Sequence, residues 1–136
     1  MKKFAFMIYS ESNESNSAGS EPLGYISILN NEFKYFICEN INDWPDKEFV
    51  LVETNNKNNF KIYHPEIKKF ISFKKDILST NDNCNSSIFD FNKKSDTGFI
   101  YLYCTNLKEY VYINYNNEIN TKKDGDIILL KKSLLT

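Results

Sequence analysis

The sequence predicts an all-β protein built from similar short units, and three observations lead to this prediction. Aromatic and β-branched residues occur in short runs, a composition that suits a pleated and buried surface. Polar segments rich in Asn, Asp and Ser separate these runs, as turn-forming residues do between strands. Apolar residues do not recur at helical spacing between capping residues in any window of helical length, so long helices are not expected.

The opening third of the chain contains three apolar runs and one isolated apolar position. These are "FMIY" at 6–9, "YISI" at 25–28, Phe33, and "FVLV" at 49–52. Two longer polar segments, 10–23 and 38–48, interrupt this unit. Both are rich in turn formers and charge, so we expect them to form long surface loops.

The rest of the chain repeats the same order twice, in residues 60–92 and 100–131. The matching stretches are "FKIY" and "IYLY", "FISF" and "YVYI", the lone positions Ile77 and Ile119, and "IFDF" and "IILL". The later copy carries two extra residues in the middle, where "YNNEI" replaces "KDI". The Asn-Asn pairs at 30–31 and 116–117 tolerate left-handed backbone and indicate hairpin turns.

The pattern of one strand of the unit therefore occurs three times in the sequence. Phe70 follows Tyr25 by 45 residues, and Tyr110 follows Phe70 by 40. Such self-similarity is typical of repeat architectures. The pattern resembles the β-trefoil superfamily, which implies three four-stranded units around a pseudo-threefold axis. Six of the twelve or so strands would close a barrel and six would form a hairpin cap. One unit cannot bury its own apolar face, whereas three can bury theirs against one another.

This resemblance predicts a single domain over residues 1–136, with repeats at roughly 4–53, 59–93 and 98–132 and with long loops in the first repeat. The alternatives are an irregular β-sandwich or barrel, whose buried strands look alike because all buried strands do, and an α+β fold.

Composition argues against several classes of partner. The net charge is −1, the pI is near 5.9 and the basic residues are scattered in short pairs, so nucleic acid is not an expected partner. No apolar stretch approaches the length of a membrane helix, and the apolar run after Met1 is too short for a signal peptide. Three cysteines cannot all pair within the chain. We therefore expect a cytoplasmic protein that does not enter membranes.

Catalytic and metal chemistry find little support in the sequence. His64 is the only histidine, and its place before Pro65 predicts an exposed turn residue; an enzyme of the Ser-His or Cys-His type would have to depend on it. Cys104 occupies the equivalent position in the next unit, too far away to pair with His64. Metal-ligand spacings and glycine-rich phosphate loops are absent, and "DGD" at 124–126 is best interpreted as a solvated turn. We expect no catalytic residue, metal or cofactor.

The cysteines are expected to differ in environment. Cys38 and Cys104 lie in or beside apolar strands and should pack as small buried side chains. Cys84 lies in the polar stretch "TNDNCNSS" and should be an exposed, inert thiol.

The stretch "INDWPDKE" at 41–48 is the leading candidate for a binding site. It holds the only tryptophan, Trp44, beside Asp43, Asp46 and Glu48. A loop tryptophan with neighbouring carboxylates can anchor a protein interface or stack on a sugar, although it can also fold back over the open end of a barrel. The leading hypothesis is a non-catalytic binding module, of the inhibitor or immunity-protein type, that recognises a protein partner with a basic surface. Trp44 would be the anchor and the three carboxylates would be rim charges.

A carbohydrate-binding lectin is the second hypothesis. Ricin-type β-trefoils carry a Gln-x-Trp signature once per repeat, near the fourth strand of each unit. The nearest match here, "NDW" at 42–44, occurs once and outside that strand. Sugar binding would therefore depend on aromatic stacking and on Asp or Asn side chains in the loops.

Overall fold

The computed structural model of the chain describes residues 2–11, 21–40, 42 and 44–131, with the side chain at position 84 excepted. Within these residues the protein is all-β, as the sequence predicts, and a 3-10 helix of three residues lies at Asn83–Asn85. The strands are β1 (Lys3–Phe4), β2 (Phe6–Ser10), β3 (Gly24–Leu29), β4 (Glu32–Ile37), β5 (Phe49–Glu53), β6 (Asn59–His64), β7 (Lys69–Lys74), β8 (Ile77–Asn81), β9 (Phe89–Asp90), β10 (Ile100–Tyr101), β11 (Tyr103–Cys104), β12 (Glu109–Tyr110), β13 (Tyr112–Ile113), β14 (Ile119–Asn120) and β15 (Asp126–Leu130).

Each apolar run of the sequence forms or overlaps a strand or a pair of short strands, and the run at 88–91 is only half in its strand, β9. Two predicted strands are divided in two, at Leu102 and Val111, and a separate short strand, β1, precedes the predicted strand at 6–9 across Ala5. Each break lies where the segment changes its hydrogen-bonding partner. At Val111, for example, the backbone N–H donates to the carbonyl of Leu102 while the carbonyl accepts from the N–H of Ile128. Local composition therefore predicts where the strands lie. Pairing with neighbouring strands determines where a strand is interrupted.

The sheet curls back on itself through a cycle of antiparallel pairs. β1 pairs with β5, β5 with β6, β6 with β9, and β9 with β11. β10, which precedes β11 in the same segment, pairs with β15, and β15 pairs with β2, which follows β1. The two ends of the described chain therefore lie side by side.

Three hairpins extend from this cycle, and two of them form at the turns predicted from the Asn-Asn pairs. β3 and β4 are joined by Asn30 and Asn31, whose φ angles of 54° and 62° are those of a tight two-residue turn. β7 and β8 are joined in the same way by Lys75 and Asp76, with φ angles of 52° and 67°. β13 and β14 form the third, and there Asn117 has a φ of 60°.

Two pairs of strands that match in the sequence place an aromatic pair opposite each other in the same way. Tyr63 lies opposite Phe70, and Tyr103 lies opposite Tyr110. The ring centroids of these pairs are 4.6 and 4.8 Å apart. In the first unit Tyr25 instead stacks on Phe36, at 5.4 Å. The aromatic position that the sequence repeats three times is thus a cross-strand packing position in each unit.

The interior is one large cluster of aliphatic and aromatic side chains contributed by all three units. Its largest fully buried side chains are Phe6, Phe49, Phe89, Phe91, Ile8, Ile26, Ile62, Ile71, Ile100, Leu102 and Ile128. Cys104 belongs to this cluster and is fully buried, as predicted, whereas Cys38 is only half-buried at the end of β4. The side chain of Cys84 lies outside the described residues.

Candidate functional site

A cleft of about 470 Å³ opens where the first segment of the chain changes partner. Residues 2–7 line it, together with Trp44, Pro45 and Lys47 from the following loop and with Leu130 at the end of β15. β1 pairs with β5, whereas β2 pairs with β15. The partner strands β5 and β15 therefore diverge at Ala5, which lies between β1 and β2. The cleft occupies the gap that this divergence leaves.

Trp44 lies at this cleft and remains 46% exposed. The loop that carries it is fixed to β1 by a hydrogen bond of 3.1 Å from the Glu48 backbone N–H to the Phe4 carbonyl. Trp44 is therefore held beside the N-terminal strand without being part of the buried core. An indole ring in this position can contact a ligand without any rearrangement of the core.

The structure describes two of the three carboxylates predicted to accompany Trp44, and these two lie in different environments. Asp46 is exposed, and Asp43 lies outside the described residues. Glu48 faces inward: its Oε1 accepts from Ser27 Oγ at 2.8 Å, and its Oε2 lies 2.8 Å from His64 Nε2. The structure thus places Trp44 and Asp46 at the surface and engages Glu48 in internal hydrogen bonds.

The prediction that His64 is an exposed turn residue is wrong, since its side chain is only 1% exposed. His64 is the last residue of β6, and its ring packs edge-on against Phe49 with 4.9 Å between the centroids. Glu48 provides the hydrogen-bond partner that makes burial of the imidazole tolerable. The position before Pro65 could not show this, because both Glu48 and Phe49 come from a different strand end.

His64 Nδ1 has no hydrogen-bond partner among the described residues. A neutral ring that donates from Nε2 to Glu48 leaves only a lone pair at Nδ1, whereas the other tautomer would leave a buried N–H without an acceptor. The first tautomer is therefore the one that this geometry favours. Cys104 occupies the equivalent position in the third unit: Cys104 lies opposite Glu109, as His64 lies opposite Lys69.

A donor set suited to a divalent metal surrounds His64. One ligand atom each from Glu48, His64 and Glu66 lies within 4.8 Å of the others. Imidazole and carboxylate donors are the ligands of many zinc sites. The only local signal for this group is the short spacing from His64 to Glu66, because Glu48 reaches it from a remote loop.

Four lysines converge on the cleft beside Trp44: Lys2, Lys3, Lys47 and Lys131. Among the described residues, no Asp or Glu lines the cleft. The sequence shows these lysines as unrelated short pairs, because they lie near both ends of the described chain and in one loop. Pairing of β1 with β5 and of β2 with β15 brings them together.

A second, more polar groove of about 510 Å³ is lined by tyrosines. Tyr101, Tyr110 and Tyr112 lie along it, together with the carboxyl groups of Glu11 and Asp126. The rings of Tyr101 and Tyr110 meet edge to face, with centroids 5.8 Å apart. This combination of aromatic faces and acceptor oxygens is the chemistry that sugar recognition uses.

Burial changes the acid–base behaviour of two tyrosines. Removal from water raises the pKa of Tyr9 to about 12, with a smaller contribution from the negative charge of the Cys38 thiolate. The same two causes, in the same order, raise the pKa of Tyr35 to about 12. Burial also raises the pKa of the Cys104 thiol. A buried thiol of this kind is a poor nucleophile.

Comparison with models of protein families and with curated proteins finds no match for this chain. In the part of the chain that the structure describes, no helix combines the length and the hydropathy that crossing a bilayer requires.

Proposed function

We propose that the curled sheet is a β-trefoil. Two features support this proposal: the cycle of six paired segments, and the three hairpins that extend from it. In a β-trefoil, β1 with β2, β5, β6, β9, β10 with β11, and β15 would be the barrel strands. An experimental structure in which no threefold rotation relates Tyr25, Phe70 and Tyr110 would contradict it.

We further propose that the protein is a non-catalytic binding module that recognises a protein partner through the cleft beside Trp44. The observation that carries this proposal is the half-exposed indole at a preformed cleft. Tryptophan is strongly enriched among residues that dominate interface energies, since it buries a large rigid surface. An inhibitor or an immunity-type protein would use such a site to cover a surface of its target.

The environment of His64 favours binding over catalysis. A catalytic function of the Ser-His or Cys-His type would depend on this residue, which is almost completely buried and hydrogen-bonded to Glu48. The buried position of Cys104 and its raised pKa point the same way. We leave Glu48 out of the proposed contact surface because its oxygens already accept hydrogen bonds from within the protein.

The test compares Trp44→Ala with Tyr115→Ala, a matched control that removes a fully exposed aromatic ring outside the cleft. Each variant and the parent protein are immobilised and exposed to native lysate, and captured proteins are identified by mass spectrometry. We expect one partner to be retained by the parent and by Tyr115→Ala and to be lost from Trp44→Ala.

Thermal unfolding of the same variants checks that the loss is local. Because Trp44 is 46% exposed, we expect Trp44→Ala to change the free energy of unfolding by no more than about 1 kcal/mol. A partner retained equally by all three proteins would contradict the proposed site. A large loss of stability in Trp44→Ala would instead identify the indole as a structural cap.

A lectin is the second candidate function, and the tyrosine-lined groove favours it. A sugar ring stacked on Tyr110 could hydrogen-bond to Asp126 on the same groove. Binding to a glycan array that is abolished by Tyr110→Ala and retained by Trp44→Ala would support this function. A blank array would leave protein recognition as the function to pursue.

A further inference from the structure

The cleft beside Trp44 is lined by positive charge, although the net charge of the chain is slightly negative. The chain has a net charge of −1, yet the cleft is lined by four lysines and, among the described residues, by no carboxylate. Asp46, the nearest described acidic residue in sequence, is exposed but does not line it. A concentration of one sign of charge against a low-dielectric wall attracts ligands of the opposite sign.

The rest of the cleft is apolar and aromatic. Phe4 and Met7 line it as half-buried side chains, whereas Phe6 and Leu130, which also line it, are almost completely buried. Lys131 extends over the ring of Tyr9, with its Nζ 5.4 Å from the ring centroid. The half-buried apolar side chains and the four lysines of the cleft together favour a ligand that combines an apolar side chain with flanking negative charges.

We infer that the cleft binds an acidic peptide segment of the partner, in which Asp or Glu residues flank an apolar side chain. This inference rests on the proposed function and reverses the charge expected from the sequence. The basic partner surface was predicted from Asp43, Asp46 and Glu48, but Glu48 faces His64 and lysines surround the cleft that Trp44 lines.

Phosphate-rich ligands fit the cleft less well than an acidic peptide does. A polyphosphate or a lipid headgroup would satisfy the lysines but would bring no apolar group to the half-buried side chains of Phe4 and Met7 or to the exposed indole of Trp44. An apolar side chain of a peptide can pack on these residues while the neighbouring carboxylates of the peptide pair with the lysines of the cleft. The expected affinity is modest, because pairs between exposed charges contribute little individually.

The experiment uses the fluorescence of Trp44, which reports on the cleft alone because it is the only tryptophan in the chain. The full chain is titrated with a blocked peptide of Glu residues around a central Phe. Parallel titrations use the peptide with Gln in place of Glu, the peptide with Lys in place of Glu, sodium tripolyphosphate, and vesicles with phosphatidylserine. We expect saturable change with the Glu peptide alone and weaker binding as ionic strength rises.

Charge reversal tests the lysines directly. We expect Lys47→Glu combined with Lys131→Glu to weaken binding of the Glu peptide roughly tenfold. The matched control is Lys57→Glu combined with Lys122→Glu, which makes the same change in net charge at exposed lysines that do not line the cleft. The control should remain within about twofold of the parent, because distant exposed charges are screened.

Several outcomes would overturn the inference: no saturation with the Glu peptide, stronger binding of the Lys peptide, or binding of tripolyphosphate or vesicles in its place. Equal weakening in both double variants would also overturn it, because the effect would then follow net charge. The lysate partner separates this failure from failure of the proposed function. A partner that is lost from Trp44→Ala but retained by Lys47→Glu with Lys131→Glu would keep the binding site and reject the acidic segment.

Discussion

At the scale of single residues, the pair formed by Glu48 and His64 links the candidate binding loop to the interior. His64 is buried against Phe33 and Phe49, and Glu48 is its hydrogen-bond partner at 2.8 Å. Glu48 also accepts from Ser27, in β3. The loop that carries Trp44 therefore ends at a residue whose side chain is fixed on two sides, which holds the indole in place before any ligand arrives.

We expect Glu48→Ala to lower the free energy of unfolding by about 1–3 kcal/mol, because it leaves His64 Nε2 and Ser27 Oγ without their acceptor in a mostly buried site. Glu66→Ala is the matched control: Glu66 belongs to the same cluster but is exposed, so its removal should cost no more than about 0.5 kcal/mol. Urea unfolding of both variants measures the difference. Equal and small losses would show that the buried pair contributes nothing to stability.

At the scale of elements, one tight turn contains a residue that does not usually occupy its backbone conformation. The turn between β7 and β8 holds Lys75 and Asp76 at φ angles of 52° and 67°, a left-handed conformation that favours Gly, Asn or Asp. Asp76 has a compensating role, since its carbonyl accepts from the Thr121 N–H and its Oδ1 accepts from Thr121 Oγ1. Of the two turn residues, Lys75 has the side chain less suited to this backbone.

Replacement of Lys75 by Asn should therefore stabilise the protein, by about 0.5–1 kcal/mol, because Asn tolerates the left-handed region better than Lys does. Lys74→Asn is the control: it makes the same chemical change at an exposed residue in β7, where no such gain is expected. Denaturant midpoints of the two variants provide the comparison. A stabilisation shared by both would attribute the effect to loss of a lysine charge.

The elements also show what the sequence could reveal. Strands were predictable because aromatic and β-branched runs are a local property, and the hairpin at Asn30 and Asn31 was predictable because turn chemistry is local as well. The environment of His64 was not predictable from the sequence. Phe49 and Glu48 contact it from a distant segment, and no local pattern links that segment to His64. The lysine-lined cleft was hidden for the same reason: it is assembled from both ends of the described chain.

At the scale of the whole molecule, stability depends on keeping polar groups of the interior neutral or paired. Tyr9 is 2% exposed and packs on Phe99, with 5.3 Å between the ring centroids. Tyr35 packs against the main core cluster. β2 and β4, which carry these tyrosines, flank β3 on both sides, so the first unit concentrates the groups that must stay protonated.

Alkaline pH should therefore destabilise the protein. Burial raises the pKa of Tyr9 from 10.0 to about 12, so above pH 10 the unfolded chain loses this proton before the folded chain does. The stabilisation is fully present below pH 10 and disappears as pH rises through 12, a loss of about 3 kcal/mol for Tyr9. Tyr35 adds a loss of the same sign over the same range. Urea unfolding between pH 9 and 12.5 measures it.

Tyr9→Phe separates this effect from general charge repulsion. Phe keeps the ring contact with Phe99 and removes the ionisable hydroxyl, so the variant should lose less stability than the parent between pH 10 and 12. Near neutral pH the two proteins should differ little. If the parent and the variant lost stability in parallel, Tyr9 ionisation would not be the cause, and the alkaline limit of this fold would have to come from the other groups that ionise in this range.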